Sequence, residues 1–186
     1  MSWGSRGLRG STLEEIINMT NENYRKKGLA VIQKVPTPIT PVRVDNESRN
    51  ITLAYFEQKS TVDYIGAVQG LPVCFDAKET SSKNLAMQNI HPHQVEFMRD
   101  FESQQGVSFL LVRFGITDEC FLLPFSVLEK CWQAAQKGGR KSIPLDAFYE
   151  SAYKINPSHG GYYIHYLEAL SDYLDELDKS GGDVKI

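Results

Sequence analysis

The sequence predicts a mixed α/β fold: a central mixed sheet flanked by helices, with one hairpin projecting from it. Three observations carry that expectation. Helical and strand periodicities alternate along the chain as helix, strands, helix, strands and helix. Val107–Phe114 is a near-continuous apolar run of strand length, the mark of a strand covered on both faces. Val42–Val44 and Ile51–Leu53 alternate on either side of a polar tip at 45–50, as a hairpin interrupting the main strand order would. With 186 residues, 41% apolar and 23% charged, residues 1–186 have the make-up of one soluble domain with a sizeable core.

The elements follow in order. Residues 1–10 carry Gly4, Gly7, Gly10, Arg6 and Arg9 and read as a flexible basic arm, a mobile terminus or a DNA contact. Ser11 or Thr12 caps a first helix whose Leu13, Ile16, Ile17, Thr20 and Tyr24 share a face and which stops at Gly28. Leu29–Ile32 is a short buried strand. Pro36–Pro41 holds three prolines and is expected outside any sheet, because proline lacks the backbone donor. The projecting hairpin occupies about 36–54. Thr61–Val68 and Leu71–Lys78 are two strands joined at Gln69-Gly70, followed by a polar loop at 79–83.

A helix starts at His91-Pro92-His93-Gln94, with proline in its first turn, and ends before Gly106. The strand Val107–Phe114 turns at Gly115–Glu119 into a shorter partner, Cys120–Phe125. Ser126 is expected to cap the next helix, which closes at Gly138-Gly139. Arg140–Pro144 reads as a compact basic loop, and Asp146 as the cap of a short turn. Tyr162–Leu167 leads into an acidic helix over Leu167–Leu177, within an acidic extension from about 170 to 186.

Composition excludes several classes. No apolar run approaches the roughly 18 residues of a membrane helix, so no membrane partner is expected. The N-terminal residues lack the apolar core of a secretory signal. Cys74, Cys120 and Cys131 are widely spaced in apolar surroundings and read as reduced thiols of a cytoplasmic protein, with no metal-ligand spacing. His91 and His93 flank a proline without a nearby cysteine, so capping is a better account of them than zinc. The net charge of −3 argues mildly against wholesale nucleic-acid coating, yet the acid is crowded into the C-terminal end and leaves a more basic body.

The chemistry lies on the hairpin at 61–78. With Gln69 and Gly70 as a two-residue loop, Val68 faces Leu71, Asp63 faces Asp76 and Thr61 faces Lys78. Carboxylates on directly opposed residues repel and raise each other's pKa unless a cation lies between them. The second strand is apolar on both sides of Asp76, so that carboxylate is expected to be buried and to need a partner. A divalent-metal site with a lysine beside it follows. Ordinary surface charges on a solvent-facing hairpin are the alternative, and a one-residue slip of register would separate the pair.

Asp63, then Asp76-Ala77-Lys78, resembles the PD-(D/E)xK nuclease pattern in a form with Val62 in the place of the first proline. The surroundings narrow the resemblance. Arg9–Glu14, Pro36–Pro38, Ala54–Phe56, Thr61–Gly66, Asp76–Thr80, Gln88–Gln94 and Gly139–Ile143 occur in the order found in the RecU-type Holliday junction resolvases, over roughly residues 9 to 167. That resemblance implies a restriction-endonuclease-like core and a projecting stalk at about 36–54. It implies an endonuclease that resolves four-way DNA junctions in recombination and repair as a homodimer, with a recombinase as a further partner, in the cytoplasm of a bacterium or encoded by a phage. It places Mg2+, with Mn2+ as a substitute, on Thr61, Asp63, Asp76 and Gln94, and gives Lys78 the stabilisation of the transition state. The family commonly has glutamate at the position of Asp76, which shortens the reach by one methylene.

Arg9, Arg43, Arg49, Arg140 and Lys141 are candidate DNA contacts. Glu14 is a candidate outer acid or a simple helix-start residue. Three other readings stay open on the sequence: a general or site-specific nuclease on the same core, a non-catalytic accessory that binds junctions or a recombinase, and an α/β interaction module with a coincidental Asp-Ala-Lys.

Overall fold

The computed structural model describes residues 12–45, 47–56, 61–156 and 162–179. Its first helix, α1 (Leu13–Lys26), starts at a capping box: Glu15 N–H donates to Thr12 Oγ1 and Thr12 N–H donates back to Glu15 Oε2. Thr12 is therefore the cap, and Ser11 lies outside the described residues. Leu13, Ile16, Ile17, Thr20 and Tyr24 are buried, as their spacing requires. Strand β1 (Val31–Lys34) runs two residues later than the sequence suggests and is mostly exposed. It pairs on one side only, with β4, and an edge strand keeps little of its surface from water.

β2 (Ile39–Asp45) and β3 (Asn50–Phe56) form a separate two-stranded ribbon, so the projecting hairpin is present and longer than its alternating core. Pro41 lies inside β2, against expectation. It sits opposite Ala54 where the register shifts, and a free ribbon lets the missing donor face outward. Val42, Val44, Ile51, Leu53 and Tyr55 are all exposed on this ribbon.

β4 (Tyr64–Val68) and β5 (Leu71–Thr80) meet at Gln69 and Gly70, both with positive φ (48° and 93°). Two successive positive φ angles are the type I′ condition, which matches strand twist, so Gln69 accepts a conformation more often given to Asn or Asp. Pairing runs from Val68–Leu71 to Tyr64–Phe75, the register the sequence predicts. Gly66 faces β1 so closely that a Cβ there would lie 2.2 Å from the Val31 carbonyl oxygen and 2.6 Å from Ile32 Cα. Gly66→Ala should therefore push β1 off the sheet, cost about 1–3 kcal/mol and lower the melting temperature by about 3–10 °C in a thermal melt.

β6 (Asn84–Ala86), a 3-10 turn at Met87–Asn89, α2 (Pro92–Ser103) and β7 (Val107–Phe114) come next. After them come β8 (Glu119–Pro124), α3 (Phe125–Gln136), β9 (Ser142–Pro144), α4 (Leu145–Ser151), β10 (Tyr153–Ile155) and α5 (Tyr166–Lys179). Three local expectations need correction. Pro124, not Ser126, occupies the N-cap of α3 because β8 runs straight into the helix. Residues 142–144 of the basic loop are strand, paired with β6. Asp146 sits within the first turn of α4 and does not cap it.

The six-stranded sheet has the order β1-β4-β5-β7-β8-β10, with β5 and β7 parallel and every other pair antiparallel. It is the mixed sheet flanked by helices that the sequence predicts. A parallel pair needs a crossover, and α2 supplies it. Alternation along β5 sends Val73 and Phe75 to the face covered by α1 and α5, and Cys74 to the face covered by α2, α3 and α4. Asp76 falls on the Cys74 face, under α2. The acidic helix α5 belongs to the core: Tyr166, Ala169, Leu170 and Tyr173 are buried. Cys74 and Cys120 are buried free thiols and Cys131 a half-buried one.

Candidate metal centre and nucleic-acid interface

Asp76 is fully buried in the central strand, and Asp63 precedes β4 by one residue, half-buried. The hairpin register brings the two together through the backbone. Asp63 N–H donates to Asp76 Oδ1 at 3.1 Å, and Ala77 N–H donates to Asp63 Oδ2 at 3.0 Å. Each carboxylate is thus oriented by an amide belonging to, or adjoining, the other. This reciprocal clamp is invisible in the sequence, because it depends on where strand pairing stops.

Lys78 reaches back along β5 to form an ion pair with Asp76 Oδ2. Apart from that ammonium, Oδ2 is buried without a hydrogen-bond partner. Gln94, on the first turn of α2, completes the cluster. Its Nε2 donates to Asp76 Oδ1 at 2.9 Å, while its Oε1 accepts from Lys78 Nζ at 3.3 Å and from His91 N–H at 3.1 Å. Pro92 at the start of α2 spares a backbone donor that the helix would leave unused.

Burial is the main reason that the Asp76 carboxyl is pushed up from 3.8 to about 7. The Lys78 ammonium opposes the rise and the neighbouring Asp63 carboxylate adds to it. A buried acid with a raised pKa beside a second carboxylate is the kind of group that marks a functional site. Among the described residues, no cluster of three or more His, Cys, Asp or Glu could hold a metal. An ion bound here would have two carboxylates and otherwise neutral oxygens, water or substrate, which suits a hard divalent cation and not zinc.

The structure brings together Asp63, Asp76 and Lys78, which the hairpin geometry predicts, and Gln94, which the family resemblance implies. Thr61 lies two residues before Asp63, outside the strand and half-buried, with no hydrogen bond to these four. Glu14 is drawn elsewhere: its carboxylate pairs with Lys34 and its carbonyl accepts from Tyr64 Oη at 3.3 Å. The rings of His91 and His93 stack at 5.4 Å beside the cluster. Of the candidate DNA contacts, Arg43 and Arg49 are exposed on the ribbon and Arg140 and Lys141 are exposed before β9. Met87 N–H donates to the Lys141 carbonyl at 3.0 Å, which ties this basic pair to the segment leading into α2. Arg9 lies outside the described residues.

A mixed sheet with Asp63, Asp76 and Lys78 gathered at the open end of a hairpin is the arrangement that the PD-(D/E)xK nuclease pattern describes. The comparisons name the family. The model described as "Recombination protein U" (RecU) matches residues 8–172. Curated relatives named "Holliday junction resolvase RecU" include one from Limosilactobacillus reuteri, 42% identical over 92% of this chain and 82% of its own. Another, from Lactococcus lactis subsp. cremoris, is 45% identical over 82% of this chain and 73% of its own. A third, from Geobacillus kaustophilus, is 46% identical over 73% and 70%. The chain belongs to the RecU family. Among solved structures, the Holliday junction resolvase Hjc of Archaeoglobus fulgidus aligns over 61% of this chain and 77% of its own, at 9% identity and a TM-score of 0.40. That likeness is too slight to carry weight.

Proposed function

We propose that this chain is a divalent-metal-dependent endonuclease that resolves four-way DNA junctions in recombination and repair. The observation that carries the reading is the fully buried Asp76, clamped to Asp63 and paired with Lys78, in a member of a family whose curated relatives are named for junction resolution. Asp63 and Asp76 would hold Mg2+, or Mn2+ in its place, with Thr61 and Gln94 supplying neutral oxygens or orienting bound water. When bound, the ion supplies an activated water and charge stabilisation for phosphodiester hydrolysis.

The chain's own groups prepare the reaction. Gln94, tied to Asp76, Lys78 and His91, acts in this geometry as the orienting residue of the cluster. Lys78 is held between Asp76 and Gln94, so its ammonium is fixed at the edge of the site where it can orient the attacking water or neutralise charge growing on phosphoryl oxygens. Arg140 and Lys141 would take neighbouring phosphates, Arg43 and Arg49 would meet DNA along the ribbon, and Arg9 would add a contact from the arm. A four-way junction has two strands to cut symmetrically, and a C2 homodimer presents two sites with matching symmetry. The unit of action is then one nuclease domain per chain, working in the cytoplasm, with a recombinase as a further partner.

The test is cleavage of an end-labelled synthetic four-way junction with and without Mg2+, beside a linear duplex. Paired, symmetric, metal-dependent cuts in the junction alone are expected. Equal cutting of the duplex would make this a general nuclease. Junction binding without cleavage under Mg2+ or Mn2+ would make it an accessory protein.

A further inference from the structure

The stretch between β6 and α2 carries two side chains that neither the fold nor the catalytic cluster uses. Gln88 and Asn89 lie in the 3-10 turn at Met87–Asn89, and both are exposed. Neither side chain makes a hydrogen bond among the described residues, whereas their neighbours Met87 and Ile90 are buried in the core. The turn itself is fixed at both ends. Met87 N–H donates to the Lys141 carbonyl at 3.0 Å and Ile90 N–H to the Met87 carbonyl at 3.0 Å. One residue further on, His91 N–H donates to Gln94 Oε1, which in turn touches Lys78.

Three chemistries are therefore linked through backbone hydrogen bonds: the exposed cations Arg140 and Lys141, two exposed carboxamides, and the catalytic cluster. Consecutive Cα atoms are at most about 3.8 Å apart, so Asn89 Cα lies within about 7.6 Å of His91 Cα. Carboxamides are neutral and contribute little to attracting phosphate. They carry a donor and an acceptor in one plane, which is what base edges are read with. The cations beside them position the strand without reading it.

We propose that Gln88 and Asn89 read base edges beside the phosphate being cut, and so set the sequence at which a junction is resolved. The inference rests on the proposed cleavage activity. The experiment uses a four-way junction with a homologous, migrating core, so that many sequences pass the site, and maps every cut. Wild type should favour particular positions, by about fivefold to about 150-fold if one good carboxamide–base pair is made. Gln88→Ala and Asn89→Ala should each lower the ratio of preferred to other cuts at least fivefold. Lys141→Ala should slow all positions alike and leave the ratio unchanged, as a phosphate contact does. Both side chains being exposed, melting temperatures should match wild type. Uniform cutting by wild type, or an unchanged ratio in both carboxamide variants, overturns the inference and leaves the nuclease reading intact. No cutting by wild type would remove the nuclease reading and this one together.

Discussion

Lys78→Ala should lower the rate of junction cleavage by about 10²–10³-fold while the protein still binds the junction. Among the described residues the ammonium is the one positive charge paired with Asp76, and it is only 14% exposed, so solvent cannot replace it cheaply. Asp76→Asn should be at least as damaging, because it removes a carboxylate proposed to hold the metal and keeps the shape. The measurement is single-turnover cleavage with saturating enzyme, read beside a gel-shift in the absence of divalent metal. Full-rate cleavage by both variants would sink the mechanism. Loss of binding in step with cleavage would place these residues in substrate binding, not in chemistry.

The second large effect is a pH-dependent stabilisation by metal. Burial raises the Asp76 carboxyl from 3.8 to about 7 in the folded state. Between those values the folded protein binds the proton that the unfolded chain has lost, so stability falls as pH rises through this window and is lowest above about 7. A shift of this kind is worth on the order of a few kcal/mol. A divalent cation that offsets the buried negative charge should therefore raise the melting temperature more at pH 8 than at pH 5.5. Glu102 is also pushed to about 7 by burial, at the far end of α2, where it accepts from Ser108 N–H at 3.1 Å. Thermal melts of wild type against Asp76→Asn separate the two, since only the Asp76 contribution and the metal response should vanish. An equal metal effect at both pH values would place the ion elsewhere.

Much of this site was legible in the sequence, for physical reasons. A strand's period of two puts Asp76 and Lys78 on one face, and a two-residue loop at Gln69-Gly70 fixes which residues oppose Asp63 and Asp76. Apolar neighbours on both sides of Asp76 announced its burial. The position of Gln94 was legible only by family resemblance, because nothing local says that α2 will cross the Cys74 face of the sheet. β1 begins two residues later than its apolar run suggests, since Leu29 and Ala30 are apolar for reasons of packing and do not pair. Short strands such as β6, β9 and β10 escaped notice: three residues are too few to show a period, and their pairing is set by distant partners. Pro41 sits within a strand because the rule against proline in sheets assumes neighbours on both sides, and each strand of this ribbon has a neighbour on one side only.

The reciprocal clamp between the two carboxylates has a use of its own. The amide protons of Asp63 and Ala77 each point at a carboxylate oxygen of the cluster. In a proton–nitrogen NMR spectrum those two amides would act as paired reporters, one facing Asp76 and the other Asp63. A titration from pH 5.5 to 8 should move the Asp63 amide signal with a midpoint near the Asp76 value, and a divalent ion should shift both signals together. The state of the site could thus be followed residue by residue, before any DNA is added.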